Sequence, residues 1–250
     1  MSGEPDRFLG GRLSLRQPPR GAHRAGTDAV LLARLMAFAP GTTVYDLGAA
    51  TGAVGLAVAR GADGSRVVLV EREPALAAMA RDNIRENGLD GRVSVIEADL
   101  LAPGAQRRAA GLLSGSADAV LTNPPFFEGA GHRPSPAPEK ASAHAFAAGG
   151  LDGWLRVCAD LLRPGGRLGL IHRADALPAC LGALRGRFGD ASLRPVHARA
   201  ERPAIRVLIV GVKGSRAPLR LLPPLVLQDA AGRFTPEAEA LHRGDPWPPE

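Results

Sequence analysis

Residues 123–126 read Asn-Pro-Pro-Phe and follow an apolar run that is typical of a buried strand. An aromatic amine is a poor nucleophile, because its lone pair is delocalised into the ring. The Asn123 side-chain carbonyl and the Pro124 backbone carbonyl could accept both amine hydrogens and turn the lone pair toward an electrophile. Pro124 and Pro125 fix the backbone and bring no competing N–H, and Phe126 could stack on the ring. The motif therefore predicts chemistry at a planar amino group.

A glycine-rich turn follows the first predicted buried strand. Gly48 and Gly52 would let the backbone approach a ligand closely. The nicotinamide fingerprint needs a glycine at position 50, where Ala50 stands. Asp46, just before the turn, would repel a pyrophosphate but would suit an ammonium group. The turn therefore favours a cofactor that carries an amino-acid moiety over a dinucleotide.

Two more acids end predicted strands. Glu71 comes 19 residues after Gly52, a spacing from which a carboxylate can accept two hydrogen bonds from a ribose diol. Asp99 could accept a bond from an adenine amino group while Leu100 packs on the ring, although Asp is also a common turn residue. The carboxyl ends of parallel strands meet at one edge of a sheet. We therefore expect Asp46, Glu71, Asp99 and the Asn-Pro-Pro motif to lie together.

Strands alternate with helices along the chain, which predicts an α/β fold with a mostly parallel, seven-stranded twisted sheet and helices on both faces. The predicted strands are 43–47, 66–70, 93–97, 117–122, 167–172 and 205–212. The predicted helices are 29–38, 51–60, 74–87, 151–162 and 174–186. Near the end we expect a strand pair (225–227 with 233–234) and a helix from Thr235. The expected parts are an N-terminal cap segment and helix (1–40), the cofactor-binding domain (41–215) and a C-terminal extension of that domain (216–250).

The charge balance favours a polyanionic partner. The 250 residues carry a net charge of +6, and the pI is about 10.5. Between Arg185 and Arg220, nine basic residues stand against two acidic ones, and a second basic stretch runs from Arg7 to Arg24. An arginine-rich composition can also reflect codon bias, but charge concentrated in two stretches favours nucleic acid.

Other features bound the class of protein. No apolar run is long enough to span a membrane, and the N-terminus has no apolar secretory region, so we expect a cytoplasmic protein. Cys158 and Cys180 are expected to be buried free thiols. The six histidines have no metal-ligand spacing, so we expect no metal.

The order of these motifs resembles the class I methyltransferases with an Asn-Pro-Pro-aromatic motif, of the small methyltransferase domain type. Within them it most resembles the bacterial tRNA1(Val) N6-adenine methyltransferase family. The resemblance covers about residues 20–212 and is carried by Gly26-Thr27-Asp28-Ala29-Val30-Leu31-Leu32, Asp46-Leu47-Gly48, Glu71, Asp99, Asn123-Pro124-Pro125-Phe126 and Arg163-Pro164-Gly165-Gly166.

The resemblance implies a Rossmann-like fold, S-adenosyl-L-methionine as the cofactor and RNA, in particular tRNA, as the partner. Thr27 and Asp28 would close the cofactor pocket from above. The cofactor-binding residues that it implies are Thr27, Asp46, Gly48, Ala50, Gly52, Glu71, Asp99, Leu100 and Asn123. The residues that would present the amine are Asn123, Pro124, Pro125 and Phe126.

Two departures from the family pattern keep alternatives open. Ala50 stands where many relatives have glycine, which would make the methionine end of the pocket tighter. Phe126 stands where the adenine-specific branch usually has tyrosine, and Asn-Pro-Pro-Phe is also common in guanine-N2 methyltransferases of ribosomal RNA.

The favoured function is methyl transfer to the exocyclic amino group of an RNA base. Among such groups, N6 of adenine in tRNA is the most favoured acceptor. The alternatives are guanine-N2 methylation of ribosomal RNA and N5 methylation of a protein glutamine, whose planar carboxamide would fit the same motif. A non-catalytic RNA- or cofactor-binding module is disfavoured, because Asn123 and Glu71 are intact.

Overall fold

The computed structural model describes residues 5–19, 24–125 and 150–247. Its strands are β1 (Asp6–Phe8), β2 (Leu13–Leu15), β3 (Thr43–Leu47), β4 (Arg66–Glu71), β5 (Val93–Glu97), β6 (Ala117–Thr122), β7 (Leu162–Arg173), β8 (Phe188–His197), β9 (Ala204–Lys213), β10 (Arg220–Leu221) and β11 (Leu225–Val226). Its α-helices are α1 (Thr27–Arg34), α2 (Ala53–Gly61), α3 (Pro74–Glu86), α4 (Gly104–Ala109), α5 (Gly150–Leu161), α6 (Leu177–Leu184) and α7 (Pro236–Arg243).

Nine of these strands form one sheet in the order β10-β8-β9-β7-β6-β3-β4-β5, with β11 also paired to β8. Strands β3 to β7 are parallel, and β9 is antiparallel to both β7 and β8. The central strands are nearly continuous apolar runs, as expected where helices cover both faces. The predicted α/β fold with a mostly parallel sheet is confirmed, and seven long strands make up its body.

Helices cover both faces of the sheet. Leu32 of α1, Leu56 of α2 and Ile84 of α3 belong to one buried cluster. Leu155 of α5 and Ala183 of α6 belong to the other. Each helix therefore buries its apolar stripe against the β-branched and leucine side chains of one sheet face.

Several boundaries differ from the sequence-based expectation. Strand β8 was not predicted, because Arg194 and Pro195 interrupt its apolar pattern, and the short helix α4 was also missed. The expected 225–227 and 233–234 pair is reduced to one bridge between Gln228 and Phe234, because β11 pairs in parallel with β8 instead. The helix expected from Thr235 is present, and Thr235 caps it by accepting a bond from Ala238 N at 3.2 Å.

The two cysteines lie in the folded core. Cys158 and Cys180 are buried free thiols, and burial raises the pKa of both. Across residues 5–19, 24–125 and 150–247, no helix is both long and apolar enough to cross a membrane. The same residues contain no group of three histidine, cysteine, aspartate or glutamate side chains that could hold a metal ion.

Asn83 of α3 attaches the N-terminal hairpin to the domain. The side chain is fully buried. Its Oδ1 accepts from Arg16 N at 2.7 Å, and its Nδ2 donates to Arg16 O at 3.0 Å and to Thr51 O at 2.9 Å. Asn87, one turn later, makes a similar pair of bonds with the backbone of Ser14. Because Thr51 belongs to the glycine-rich turn, one amide connects the hairpin, α3 and that turn.

Replacing Asn83 with alanine should lower the free energy of unfolding by about 2–4 kcal/mol, because three backbone groups lose their partner in a buried site. Urea denaturation would measure this change. Asn87→Ala is the matched control and should have a smaller effect, because Asn87 is only partly buried. Equal losses in the two variants would show that burial of Asn83 is not what matters.

Candidate active site

The predicted site residues of three central strands meet at one edge of the sheet. Strands β4, β3 and β6 are adjacent and parallel, with Leu47 paired to Val70 on one side and to Thr122 on the other. We call the edge at which these strands end the carboxyl edge. Glu71 is the last residue of β4, and the glycine-rich turn and Asn123 directly follow β3 and β6 there. The expectation that the parallel sheet brings the acids and the Asn-Pro-Pro motif to one edge is therefore confirmed.

The glycine-rich turn folds over the end of β4. Gly48 N and Ala49 N both donate to Val70 O, at 2.9 and 3.0 Å. Gly48 and Gly52 have left-handed backbones (φ +75° and +87°), and Ala50 shares this conformation at φ +48°. A left-handed backbone costs a residue with a Cβ roughly 1 kcal/mol, so the missing glycine at position 50 strains the turn.

The glycines of the turn have structural reasons that are independent of a ligand. A Cβ on Gly52 would lie 2.7 Å from Leu69 Cδ1, and one on Gly55 would lie 2.2 Å from Leu69 Cδ2. A Cβ on Gly48 would lie 3.2 Å from Trp154 Cζ2. Helix α2 and the turn thus pack too closely on the sheet for larger residues. The glycines alone carry little information about a cofactor, and their assignment to a cofactor site stays a prediction.

Asp46 is buried beneath the turn, with only 2% of its surface exposed. Its Oδ2 accepts a hydrogen bond from Gly55 N at 2.9 Å, in the first turn of α2. Burial raises the pKa of Asp46 to about 7, the Gly55 bond opposes this rise, and the charge of Glu71 adds to it. A cation at the turn would favour the charged carboxylate, so this residue fits a ligand ammonium group without being open to solvent.

Glu71 is held by the backbone of two segments. Its Oε1 accepts from Arg72 N at 2.8 Å and from Glu73 N at 2.9 Å, and its Oε2 accepts from Ala50 N at 2.8 Å. The residue is 8% exposed. A carboxylate can accept about four hydrogen bonds, so a fixed Glu71 keeps capacity for a hydroxyl group of a ligand.

Asp99 is exposed, and its Oδ1 accepts from Leu101 N at 2.8 Å, as in an ordinary turn. The side chain of Leu100 is buried in the core, whereas Leu101 is partly exposed beside it. Asp99 therefore has a role in the turn whether or not it contacts an adenine. The predicted contacts of Asp99 and Leu100 with the cofactor remain predictions.

The Asn-Pro-Pro segment is described up to Pro125, and Phe126 lies outside the described residues. Asn123 is half-buried, Pro124 is buried and Pro125 is exposed. Immediately before them, Thr122 is fully buried at the end of β6. The motif therefore starts at a rigid strand end and continues toward solvent.

Thr122 and Trp154 connect the motif to the glycine-rich turn, and sequence reasoning missed this connection. Thr122 Oγ1 donates to Leu47 O at 2.9 Å, and Trp154 Nε1 donates to Thr122 Oγ1 at 2.9 Å. The Trp154 ring also packs against Gly48. The sequence indicated only a core tryptophan on an apolar helix face. A threonine directly before Asn123 was the available signal, since its hydroxyl needs a partner when buried.

Thr27 and Asp28, expected above the cofactor, begin α1. Thr27 Oγ1 lies 3.3 Å from His242 Nε2, and Asp28 Oδ2 accepts from Arg206 Nε at 2.9 Å. Arg206 is at the start of β9, where this antiparallel strand meets the carboxyl edge. The N-terminus of α1 therefore lies at the same edge as Asn123, and a direct contact of Thr27 with a cofactor stays a prediction.

Thr122→Val should lower the free energy of unfolding by about 2 kcal/mol, because it leaves the buried Trp154 Nε1 and Leu47 O without this partner. Thr122→Ser should restore most of the loss. In a double-mutant cycle measured by urea denaturation, Trp154→Phe should remove part of the penalty of Thr122→Val, since the unsatisfied donor is then gone. If the losses of unfolding free energy in the two single variants simply add in the double variant, the two side chains are not coupled through this hydrogen bond.

Asp46 predicts a pH dependence of stability. Its folded pKa of about 7 is above the ordinary value of 3.8, so its contribution to stability is full below about pH 4 and is lost as the pH rises through 7. Asp46→Asn cannot titrate. Between pH 5 and pH 8, the free energy of unfolding of the wild type should therefore fall by roughly 2 kcal/mol relative to the variant. Parallel pH profiles in thermal denaturation would rule out a raised pKa.

Several known proteins with similar sequences or structures are named as methyltransferases. The chain is 31% identical over 189 residues to a release factor glutamine methyltransferase of Moorella thermoacetica, covering 72% of this chain and 64% of that protein. It is 28% identical over 225 residues to a tRNA1(Val) (adenine(37)-N6)-methyltransferase of Porphyromonas gingivalis, covering 86% of each.

The crystal structure of a predicted O-methyltransferase from Agrobacterium tumefaciens superposes with a TM-score of 0.75 and 31% identity. It covers 88% of this chain and 97% of that one. The chain thus spans most of the length of two of these proteins and just under two thirds of the third.

The methyltransferase small domain matches residues 24–190, more than half of the chain, from the start of α1 into β8. The match therefore includes every predicted site residue. The family and the shared fold imply S-adenosylmethionine as the cofactor. The chain belongs to the methyltransferase small domain family.

Proposed function

We propose that this protein transfers the methyl group of S-adenosylmethionine to an exocyclic amino group of an RNA base, and that this group is N6 of an adenine in tRNA. The observation that carries the proposal is the position of Asn123-Pro124, which follows β6 at the carboxyl edge, next to the turn and acids of β3 and β4. This proposal puts the protein in the cytoplasm, where tRNA is.

The residues at the carboxyl edge fit this cofactor. Glu71 is fixed by three backbone amides at the end of β4, where a ribose hydroxyl could donate to it. The buried Asp46 would supply negative charge beneath the turn for the methionine ammonium. When bound, the cofactor supplies an electrophilic methyl group.

The chain's own contribution to transfer is positioning. Asn123 Oδ1 and Pro124 O would accept the two amine hydrogens and orient the nitrogen lone pair. Thr122 holds this segment to β3 through Leu47 O, so the segment and the turn keep a fixed spacing. The amine proton can leave after transfer, so no general base is required.

Nitrogen is favoured over oxygen as the acceptor atom. An alcohol would have to lose a proton to become nucleophilic. The two acids closest to the motif along the sheet are committed elsewhere: Asp46 is buried beneath the turn, and Glu71 binds backbone amides. This supports an N-methyltransferase, although the similar Agrobacterium protein is described as a predicted O-methyltransferase.

The relatives support two acceptors for such a site. The tRNA1(Val) adenine-N6 methyltransferase supports the RNA base. The release factor glutamine methyltransferase supports a second candidate, a protein glutamine amide, which offers the same planar NH₂ group. The net charge of +6 favours the polyanion.

Radiolabelled cofactor incubated with bulk tRNA, ribosomal RNA and a peptide-release factor would distinguish these acceptors. We expect label in tRNA, and N6-methyladenosine in the nucleosides released from it. N2-methylguanosine would correct the base, and label in the release factor alone would overturn the RNA assignment.

Asn123→Ala should reduce kcat at least a hundredfold, because the amine loses one of its two acceptors, while the affinity for S-adenosylmethionine stays within about twofold. Glu71→Gln should weaken the affinity for S-adenosylmethionine and leave kcat at saturating cofactor nearly unchanged. The substitution replaces one of the two accepting oxygens with an NH₂ group that can only donate. Isothermal titration and single-turnover kinetics measure the two effects. Full activity of Asn123→Ala would exclude the proposed geometry.

A further inference from the structure

The basic residues between Arg185 and Arg220 divide between opposite edges of the sheet. Strand β8 runs in the same direction as β7, because β9 is antiparallel to both. The start of β8 and the end of β9 therefore lie at the opposite edge, where the parallel strands β3 to β7 begin. We call this the amino edge, and it is away from the proposed site. Near that edge are Arg185, Lys213, Arg216 and Arg220, whereas Arg199, Arg202 and Arg206 lie at the carboxyl edge.

Ion pairs within the protein engage much of the basic charge. With acids in the described part of the chain, Arg187 pairs with Asp152 at 2.8 Å, Arg206 with Asp28 at 2.9 Å and Arg220 with Asp190 at 3.6 Å. Three residues of the N-terminal stretch do the same: Arg12 with Asp245, Arg16 with Glu86 and Arg24 with Asp6. The number of basic residues in these stretches therefore overstates the charge available to RNA.

Within residues 5–19, 24–125 and 150–247, a basic surface lies at the carboxyl edge, formed by the β8–β9 hairpin and the chain after β11. Arg199 and Arg202 are exposed and form no ion pair with the residues that the structure describes. The Arg199 guanidinium lies beside Gly232, since a methyl group there would come within 3.5 Å of it. Gln228 N donates to Ala198 O at 3.0 Å, which joins the hairpin to the C-terminal extension.

An aromatic residue completes this surface. Phe234 is 43% exposed and stacks on His242, with ring centroids 4.5 Å apart and an interplanar angle of 25°. Burial lowers the pKa of His242, so the stacked pair is neutral near pH 7. His242 contacts Thr27 at the start of α1. We call Arg199, Arg202 and Phe234 the edge platform; it adjoins the N-terminus of α1, which lies at the same edge as Asn123. Arg233, next to Phe234 in the chain, pairs with Asp229 at 3.1 Å and is not counted in the platform.

We propose that the edge platform binds the RNA substrate beside the acceptor site, with Arg199 and Arg202 on phosphates and Phe234 on a base. This inference rests on the proposed RNA methyltransferase function. Arginine side chains interleaved with an exposed aromatic ring are the combination that single-stranded nucleic acid requires. RNA that crosses the platform would reach the site, whereas RNA at the amino edge would lie across the sheet from it. The C-terminal extension is then part of the substrate-binding surface.

Arg199→Glu/Arg202→Glu tests the platform against Arg185→Glu/Arg216→Glu, which makes the same charge change at exposed positions of the amino edge. Fluorescence anisotropy with labelled tRNA should show at least a tenfold loss of affinity for the first pair and less than a threefold loss for the second. The slope of log affinity against log salt should fall by about 1–2 for the first pair only. Phe234→Ala should also weaken binding several-fold without changing that slope.

Two further variants and one control keep the test decisive. Arg199→Gln/Arg202→Gln should weaken binding without charge reversal. Glu201 is an exposed acid between these two arginines in the chain, and Glu201→Lys should strengthen binding. Unchanged cofactor affinity would verify that each variant is folded. Equal losses for the two edges would overturn the platform. So would wild-type affinity and activity of the Arg199/Arg202 variants in a protein that methylates tRNA. If the wild type methylates no RNA at all, the proposed function fails instead.

Discussion

Helix α2 packs on strand β4 so closely at Gly55 that a methyl group there would require the neighbouring side chains to shift. At Gly55 a methyl group would come within 2.2 Å of Leu69, so the helix backbone itself is the packing surface. Because the helix is held there, its first-turn amide meets Asp46, and the preceding turn crosses the end of β4 and presents Ala50 N to Glu71. The close approach of α2 to the sheet therefore brings backbone amides within hydrogen-bond distance of two carboxylates of the site.

These carboxylates and the turn organise each other. Asp46 accepts from an amide in the first turn of α2, and Glu71 accepts from an amide of the turn that precedes it, so the acids are oriented before any ligand arrives. Asp99 holds only its own turn. On the acceptor side the rigid point is Thr122, which binds Leu47 O and Trp154. The two halves of the site are thus joined through adjacent strands and one helix, and their spacing is a property of the sheet.

Much of this arrangement follows from the sequence. A residue at the end of a strand in a parallel sheet must lie at the carboxyl edge of that sheet. That logic placed Glu71 and Asn123 correctly at this edge. It could not show that Trp154 reaches Thr122, because the contact joins a helix and a strand 32 residues apart. The sequence alone also overstated the size of the basic surface. Residues of one basic stretch, such as Arg199 and Arg216, lie at opposite edges of the sheet once β8 and β9 fold back on each other. Strand β8 was missed because Pro195 interrupts its pattern.

The pairing of β10 and β11 with β8 has a consequence for synthesis of the chain. Strand β8 would otherwise be the outer strand of the sheet, with a row of unpaired amides and carbonyls open to other chains. The residues that cover it are made after β8 itself, and the intervening Pro223-Pro224 cannot donate backbone bonds that would continue the sheet. A chain that stops before β10 would expose the unpaired backbone groups of β8 to strands of other chains. The short strands β10 and β11 therefore also reduce the risk that β8 pairs with another chain.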